Sequence, residues 1–527
     1  MKKIITFLLF FYSNHLNAFE EKTVIIPLAD AYPSRYNYHT EFLVDRFDVE
    51  HKWLCRGVGS FRFQRSFHDN ILGSILFSNP LVITPSGENN TYNGRNLGIG
   101  FQQCSSNSTF SCSIINDYIN CKVEISKINS PFYLQLGIPI QRSNHIVTMK
   151  EQGETDNKVI KGGFAQEYKT AEIPNYQAWQ ETPSGIIDAL VSMKNYLKGK
   201  TIGNMEARYF GVLTEEQMTI WSLADIYIQL GHEGIHTEYA HVGGYIKGII
   251  PTSPALKEKW NKYLFFPTIG NVNRGEIGGG INGNYLFFDD DASTLKLCFD
   301  GYGGYLFSGK SQRPFDLKSG FFSRYGNFKV FDPYNLTYKN RLIWGVDLTT
   351  QESNIGNCFK SELVFDFIYR KFQSFFNLCY SFKSQTAEHL ENKKDCFIRS
   401  NNAYGNSMQT FVQNPNPLTN NSWTTDLISP NSTLTVISEK DFSMYQENKI
   451  QGILVQSEYL LTENDIDFDS GLMNGQILNI ISGGYTYQSI KETFLANFGI
   501  KGAVGISPMK YYTPEFWEAV LFIEINY

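Results

Sequence analysis

Apolar and polar residues alternate with a period of two in many segments of this chain. The clearest case is the segment 359–370, in which one set of alternate positions is apolar and the other is charged: Phe359, Leu363, Phe365, Phe367 and Tyr369 against Lys360, Glu362, Asp366 and Arg370. Because successive side chains of a β-strand point to opposite faces, this pattern predicts a strand with one apolar and one charged face. Four charges on one face are difficult to place in a sandwich core but easy to place in a wet lumen.

The same alternation recurs along most of the chain. It is found in the segments 119–126, 132–141, 220–230, 274–287, 295–307, 341–349, 376–383 and 494–506. A strand that crosses a bilayer at a tilt needs about 9–11 residues, and these segments are of about that length. Together they predict an all-β, closed antiparallel barrel that spans a membrane. A soluble β-sandwich or propeller is the alternative, although its strands are usually shorter.

The last segment of the chain carries the same pattern to the final residue. Its apolar positions end in the run Leu521, Ile523, Ile525 and Tyr527, opposite polar residues that include Glu518 and Glu524. This ending resembles the C-terminal signature of bacterial outer-membrane β-barrels. The resemblance implies a Gram-negative outer-membrane protein, embedded in outer-membrane lipid, whose final strand binds the barrel-assembly machinery.

The lengths of the connections predict the number of strands. Short links are expected near residues 128–130, 231–234, 289–292 and 352–356, and long ones near 68–116, 148–216, 252–271 and 310–337. Thirteen strands are clear, but a barrel with both ends on the same side needs an even number. The insertion 387–475 offers a further crossing at Ile453, Val455, Tyr459 and Leu461, which predicts 14 strands, with 12 or 16 as alternatives.

The N-terminus has the features of a secretory signal peptide. Lys2 and Lys3 precede a short apolar stretch, and Ala18 is a plausible cleavage residue. We therefore expect a signal peptide over 1–18, a periplasmic or luminal segment over 19–58, and the barrel over 59–527. No stretch is long and apolar enough to predict a transmembrane helix.

Two insertions interrupt the strand pattern. In 148–216, Thr182 and Gly199 bracket a predicted helix with an apolar stripe, which either narrows the barrel or lies in an external loop. Residues 401–432 are rich in Asn, Ser, Thr and Pro and predict a loop. The insertions 148–216 and 387–475 are candidates for a plug.

Composition agrees with a barrel and argues against other classes. Aromatic residues make up 15% of the chain, with 41 Phe and 31 Tyr, and there are 43 Gly. Aromatics and glycine are typical of membrane-interface girdles and tight bends. The net charge of −6 and the absence of a long basic block predict no nucleic-acid partner. The eight cysteines suit an oxidising compartment, and Cys104 and Cys112 are close enough in sequence to pair.

One motif suggests metal chemistry. The run from His232 to His236, His-Glu-Gly-Ile-His, matches the zinc-protease pattern, which needs both histidines on one face of a helix. Here the motif lies between two alternating segments and is flanked by turn-forming glycines, so we interpret it as a polar turn. With no nucleophile or phosphate-loop motif either, the sequence predicts no enzyme activity, no metal site and no cofactor.

The polar faces supply the candidate functional residues. They are predicted to line a pore, and the set comprises Arg62, Lys122, Glu124, Asp225, Arg274, Glu276, Lys296, Asp300, Arg341, Asp347, Lys360, Glu362, Asp366, Arg370 and Lys501. With Lys383, Glu518 and Glu524 added, positive and negative charges balance, whereas a strongly charge-selective pore would show a ring of one sign.

The expected function is porin-like passage of small solutes across the outer membrane. Two alternatives stay open. One is a gated transporter of hydrophobic compounds, since the predicted strand count resembles that of the 14-stranded fatty-acid transporter family. The other is a surface barrel without a transport role, active in adhesion or envelope structure.

Overall fold

The computed structural model describes the parts of the chain that form the barrel and its surroundings. The described residues are 53–66, 81–84, 92–93, 106–127, 131–153, 158–160, 189–191, 194, 197–200, 207–237, 239–254, 262–290, 292–318, 327–331, 338–391, 403–406, 411–413, 423–425, 466–491, 494–508 and 515–526. The predicted signal peptide lies outside these ranges, as do Ile453, Val455, Tyr459, Leu461 and Tyr527.

Twelve antiparallel strands close into one barrel. They are β1 (Trp53–Ser66), β2 (Ser106–Lys127), β3 (Phe132–Gly153), β4 (Ile226–His236), β5 (Ala240–Ile250), β6 (Glu276–Asp289), β7 (Ser293–Leu306), β8 (Cys358–Lys371), β9 (Ser374–Gln385), β10 (Gln476–Lys491), β11 (Phe494–Ile506) and β12 (Phe516–Asn526). Consecutive strands pair, and β1 pairs with both β2 and β12. Within the described residues, each of the twelve strands thus has a paired neighbour on both sides, as closure of a barrel requires.

The outer surface of the barrel is apolar. Leu378, Ile281 and Leu521 are at least half exposed, and every strand from β1 to β12 contributes large apolar side chains to this surface. Exposed apolar area on this scale is unfavourable in water and matches the lipid-facing band of a membrane barrel. The alternation predicted from the sequence is confirmed. In the described residues no helix has the length and hydrophobicity needed to cross a bilayer.

The barrel has 12 strands, which was an alternative to the predicted 14, because one of the thirteen predicted segments is not a crossing. The strand Tyr338–Trp344 pairs outside the barrel with Asn327–Phe331, and the chain then forms the short helix α1 (Gly345–Thr349). Without this segment the remaining crossings number twelve, which is already even. The pairing of β8 with β7 and β9 leaves no position in the wall for an additional strand.

The predicted strand 220–230 is interrupted. Met218–Leu223 pairs with residues 140–145 of β3, and β4 pairs with residues 132–137 of the same strand. Ala224 and Asp225, which lie between the two segments, belong to neither strand. Both residues are completely buried. The alternation continued across the break, so the sequence pattern alone did not reveal it.

The two ends of the barrel differ. At one end the strands are joined by short connections, at 128–131, 237–239, 290–292, 372–373 and 492–493. At the other end, which we call the mouth, the connections span 67–105, 154–217, 251–275, 307–357, 386–475 and 507–515. The short strands of these connections are Leu81–Thr84, Tyr92–Asn93, Lys158–Ile160, Ala189–Val191, Gly309–Arg313, Asp316–Leu317, Asn327–Phe331, Tyr338–Trp344, Gln351–Ile355, Ala403–Asn406, Phe411–Gln413, Trp423–Thr425 and Ile466–Asp467.

The links predicted at 231–234 and 352–356 are not turns. Residues 231–234 lie within β4, and 352–356 falls mostly in Gln351–Ile355, a strand at the mouth. At the N-terminal side, β1 begins at Trp53, before the predicted barrel boundary at residue 59, and β3 continues to Gly153, beyond the predicted start of the insertion at 148.

The strands β2 and β3 extend beyond the apolar band at the mouth. Each has 22 residues, about twice the length that a tilted crossing needs. Glu215 anchors this extension, because its carboxylate accepts hydrogen bonds from Lys194, Lys198 and the Met149 N–H. Burial raises the pKa of Glu215, but these hydrogen bonds outweigh that effect and lower the pKa to about 2.

The helix predicted from Thr182 to Gly199 is partly wrong. Ala189–Val191 forms a strand with Lys158–Ile160, which breaks the predicted helix near its middle. A helical hydrogen bond from the Lys198 N–H to the Lys194 carbonyl remains in the last turn. Gly199, the predicted end, adopts a φ of 67°, a left-handed conformation that glycine accepts without strain.

Candidate functional site

The barrel interior collects most of the predicted functional residues. Those on barrel strands with buried or half-buried side chains are Arg62, Lys122, Glu124, Glu276, Lys296, Asp300, Lys360, Glu362, Asp366, Arg370 and Lys501, together with Lys383, Glu518 and Glu524. These side chains point inside because the residues before and after each of them on the same strand point to the apolar exterior. Their role as pore-lining residues stays a prediction.

One side of the interior is held by buried ion pairs between adjacent strands. Arg62 Nε lies 3.4 Å from Glu518 Oε1, and both side chains are at most 2% exposed. Arg56, also on β1, forms ion pairs with both neighbouring strands. Its Nε lies 3.2 Å from Glu524 on β12, and its Nη1 lies 3.7 Å from Glu124 on β2. Buried charges of opposite sign in adjacent strands fix the register of β12, β1 and β2.

Tyrosine rings inside the barrel lie over glycines of the neighbouring strand. Tyr133 on β3 is opposite Gly231 on β4, and Tyr227 on β4 is opposite Gly137 on β3. A Cβ atom at Gly231 would lie 1.9 Å from the Tyr133 ring, and one at Gly137 would lie 2.0 Å from the Tyr227 ring. Only glycine leaves room for these rings, so the pairs fill the interior between β3 and β4.

The other side of the interior is a strip of polar side chains along β5 to β8. Half-buried members of this strip are Tyr245, Lys247, Tyr302, Lys360 and Glu362, and buried members are Glu276, Lys296, Asp300 and Asp366.

Aromatic and charged groups alternate on this strip. Lys247 Nζ lies 5.1 Å from the Tyr227 ring centre and 5.0 Å from the Tyr302 ring centre, within the range of cation–π attraction. The hydroxyl of Tyr302 donates to Glu276 at 2.6 Å, and that of Tyr245 donates to Asp300 at 2.7 Å. Such a surface can bind polar solutes of either charge through charges, hydroxyls and ring faces.

The connection 251–275 folds over the mouth and is held at the break before β4. The Asp225 carboxylate accepts hydrogen bonds from the backbone N–H groups of Ser253, at 2.9 Å, and Asn271. Gly270, Val272 and Asn273 have positive φ values of 57°, 54° and 59°. For the β-branched Val272 this conformation is strained, so the Asp225 contacts hold a segment that would otherwise relax.

We expect Asp225→Ala to detach this connection. Two buried N–H groups would lose their acceptor, at about 1–3 kcal/mol for each unsatisfied group, and the strained backbone would relax. Limited proteolysis of the folded protein in detergent should then cut within 251–275 much faster than in the wild type. Unchanged cleavage would contradict the anchoring role. Asp290→Ala, in an exposed turn at the opposite end, is the control.

A second buried cluster lies at the mouth between the connections 307–357 and 386–475. Glu388 is the shared acceptor: Arg313 Nη2 donates to both of its carboxylate oxygens at 3.2 and 3.1 Å, and Arg274 Nη1 donates at 3.4 Å. The remaining nitrogens of Arg274 donate to the carbonyls of Phe307 and Gly356 at 2.8 and 2.7 Å. The cluster connects the start of β6 to both long connections.

Four predicted pore-lining residues are not on barrel strands. Asp225 is in the break before β4, and Arg274 precedes β6 at the mouth. Arg341 lies on Tyr338–Trp344, outside the barrel wall. Asp347 is in α1 and accepts hydrogen bonds from the N–H groups of Tyr209 and Phe210. For Arg341 and Asp347 the prediction of a position on a barrel strand is wrong, because the segment 341–349 is not a crossing.

Other residues of the interior and mouth were missed. Arg56 was assigned to the N-terminal segment, because the apolar alternation that predicts the first strand begins several residues after the actual start of β1 at Trp53. Lys247 lies among three glycines, which obscure the apolar face of β5. Arg313 and Glu388 lie in connections without periodicity, and no sequence signal identified them.

The His-Glu-Gly-Ile-His motif lies on a strand and not on a helix. It occupies the end of β4, where a bulge interrupts the pairing with β5, and the predicted turn is wrong because the hairpin turn follows at 237–239. The His232 side chain is exposed on the outer surface, against Phe132. Among the described residues, no group of three His, Cys, Asp or Glu side chains could hold a metal ion.

Among the described residues, Cys55, Cys121, Cys298, Cys358 and Cys379 carry free thiols. The suggested pairing of Cys104 with Cys112 stays a prediction, because Cys104 lies outside the described residues.

The final strand has the two faces that the sequence predicts. Leu521 and Ile523 are exposed on the outer surface, and Ile525 is half-buried on the same face. Glu518, Val520, Phe522 and Glu524 are buried inside the barrel. The strand pairing and the apolar exterior define the chain as a β-barrel of the outer-membrane type.

Comparison with known proteins does not name a family. No protein-family profile matches the chain, and no curated protein matches it. Among solved structures it is similar to an outer-membrane channel from Pseudomonas putida F1, with 6% identity over 92% of this chain and 100% of that chain and a TM-score of 0.36. It is also similar to a FadL homologue from Pseudomonas aeruginosa, with 7% identity over 90% of each chain and a TM-score of 0.25.

A bacterial polysaccharide outer-membrane secretin is a further structural match, with 6% identity over 91% of this chain and 99% of that chain and a TM-score of 0.25. Similarity at this level carries no argument about cargo or mechanism. The assignment to the barrel class depends on the strand pairing of this chain.

Proposed function

We propose that the chain is an outer-membrane channel for small polar solutes and that the structure represents its closed state. The observation that carries the proposal is the distribution of charge. Charged side chains project inward from most barrel strands, while the outward positions of the same strands are apolar. A transporter of hydrophobic compounds would instead need a continuous apolar route, and the strip along β5 to β8 bears Lys247, Glu276, Asp300, Lys360 and Glu362.

The balance of charges supports weak selectivity. Lys360 lies 3.3 Å from Glu276, and Lys383 lies 3.5 Å from Glu362, so positive and negative groups are paired along the inner wall. A wall of paired charges presents donors and acceptors to a solute but no ring of a single sign. We therefore expect cations and anions to pass at similar rates.

Burial at the mouth supports the proposal of a closed state. Asp225 and Glu388, which hold the connections 251–275 and 386–475, are buried, and so are the inward residues of β11, β12, β1 and β2. Opening would require these connections to move away from the barrel, which makes the Asp225 contacts the expected gate.

Single-channel recording in planar bilayers tests the proposal. The wild type should show rare, stepwise openings, and Asp225→Ala should open much more often with the same unit conductance, because only the gate has changed. The absence of conductance in both proteins, when heat-modifiable gel migration shows that both are folded, would refute the channel. Asp290→Ala should behave like the wild type.

A further inference from the structure

The cluster at the mouth borders a small cavity whose charged lining residues are mostly cations. Its volume is about 40 Å³, and its lining includes Arg274, Lys310, Arg313, Lys360 and Glu388. At roughly 10–15 Å³ per water molecule, such a space holds about three waters or one small ionised group.

Charge in the buried part of this lining does not balance. Arg274 and Arg313 are buried and share a single carboxylate, that of Glu388, whose side chain is 1% exposed. Lys360 is already paired with Glu276 at 3.3 Å, and Lys310 is paired with Glu352 at 2.9 Å near the surface. The cluster of two guanidinium groups and one carboxylate therefore has an excess of one positive charge, which is costly to bury without a counter-ion.

Arg313, which lines this cavity, also has unused donors. Its Nη2 binds Glu388, but its buried Nε and Nη1 atoms have no hydrogen-bond partner among the residues that the structure describes. The Arg313 residue is 2% exposed, so bulk solvent does not supply one. Burial lowers the pKa of the Arg313 guanidinium, Glu388 raises it and Arg274 lowers it, and the net direction is downward. Arginine nevertheless stays protonated in proteins, and an anion would satisfy both the donors and the charge.

We propose that this cavity is a binding site for a small oxyanion, a carboxylate or phosphate group, with Arg313 as its principal ligand. The planar guanidinium offers charge-assisted hydrogen bonds to such oxygens. Arg274 contributes positive charge, since its own nitrogens already have acceptors. The site stands whether or not the barrel conducts, because binding is measured on the folded protein and not through transport.

Isothermal titration calorimetry of the full chain in detergent, with inorganic phosphate and with acetate as separate probes, tests the site. Arg313→Gln should weaken binding by about tenfold or more, since it removes a charge-assisted contact. Glu388→Gln should strengthen binding, because it removes the competing carboxylate. Lys371→Gln, an exposed position at the short-turn end, is the matched control and should bind like the wild type.

The outcomes separate the possibilities. Opposite effects of Arg313→Gln and Glu388→Gln would establish the site, and a preference for phosphate or for acetate would identify the class of oxyanion. If neither probe binds the folded wild type, or if Arg313→Gln binds as tightly as the wild type, the proposal is wrong and water fills the cavity. Heat-modifiable migration of each variant confirms that the barrel is folded. If the oxyanion proposal fails, the bilayer recordings still test the channel function separately.

Discussion

Replacing Arg62 with methionine is expected to destabilise the folded barrel by about 3–5 kcal/mol. The substitution removes the guanidinium that lies 3.4 Å from the buried Glu518 carboxylate and 5.3 Å from the centre of the Tyr118 ring. The loss should appear as a lower midpoint of urea unfolding, followed by tryptophan fluorescence and by gel migration without heating.

The double variant Arg62→Met with Glu518→Met separates the charge from the packing. Replacing both partners of a buried pair with apolar residues is often neutral or stabilising, so the double variant should recover most of the lost stability. If it is as unstable as Arg62→Met alone, packing around Arg62 and not the loss of its ion pair with Glu518 is responsible. Lys371→Met serves as the control for removing an exposed charge.

The second large effect is expected at the glycines that face tyrosine rings. Gly231→Val should destabilise the barrel by about 3 kcal/mol, the upper end for overpacking. The new Cβ would lie 1.9 Å from the Tyr133 ring, which is itself buried and bound through its hydroxyl by Gln229 at 3.2 Å. The ring would have to leave its position between β3 and β4. Urea unfolding under the same conditions measures the change.

Two further variants test this explanation. Gly248→Val on the neighbouring strand is the matched control, because a Cβ atom at Gly248 meets nothing within 4 Å, and valine is favourable in a strand. Tyr133→Ala combined with Gly231→Val should cost less than the sum of the two single changes. Additive effects would mean that the ring and the glycine do not constrain each other.

The barrel and its exterior were predictable because both depend on local periodicity. In the segment 359–370 the apolar residues of one alternate set, from Phe359 to Tyr369, are exposed outside, and the charged residues of the other set lie inside, as the alternation indicated. A strand permits only these two orientations, so a sequence that alternates over about ten residues specifies its own faces. The outward face of β12 followed from the same rule.

The strand count could not be obtained in this way. Leu342, Trp344, Val346 and Leu348 alternate as well as true crossings do, but the chain turns into α1 at Gly345 and pairs outside the wall. Whether an alternating segment joins the barrel depends on which neighbours its backbone can reach. The break at Ala224 and Asp225 was hidden for the same reason, since it depends on the connection 251–275.

The same distinction between local pattern and long-range contact applies to the residues of the candidate site. Charges on barrel strands, such as Arg62, Lys296 and Asp366, were found from alternation. Arg313 and Glu388 were not, because they lie in connections and meet Arg274 only when three distant parts of the chain converge. Sequence separations of 75 and 114 residues between these hydrogen-bond partners leave no local pattern.

By itself, the sequence determined that this protein is a β-barrel with an apolar exterior, a charged interior and a final strand of the outer-membrane type. These properties are carried by side-chain order along single strands. Only the tertiary structure decided that twelve strands close the barrel, that one wall is broken at Asp225, and that two buried arginines share one glutamate at the mouth. These properties depend on contacts between distant residues, which closure of the barrel brings together.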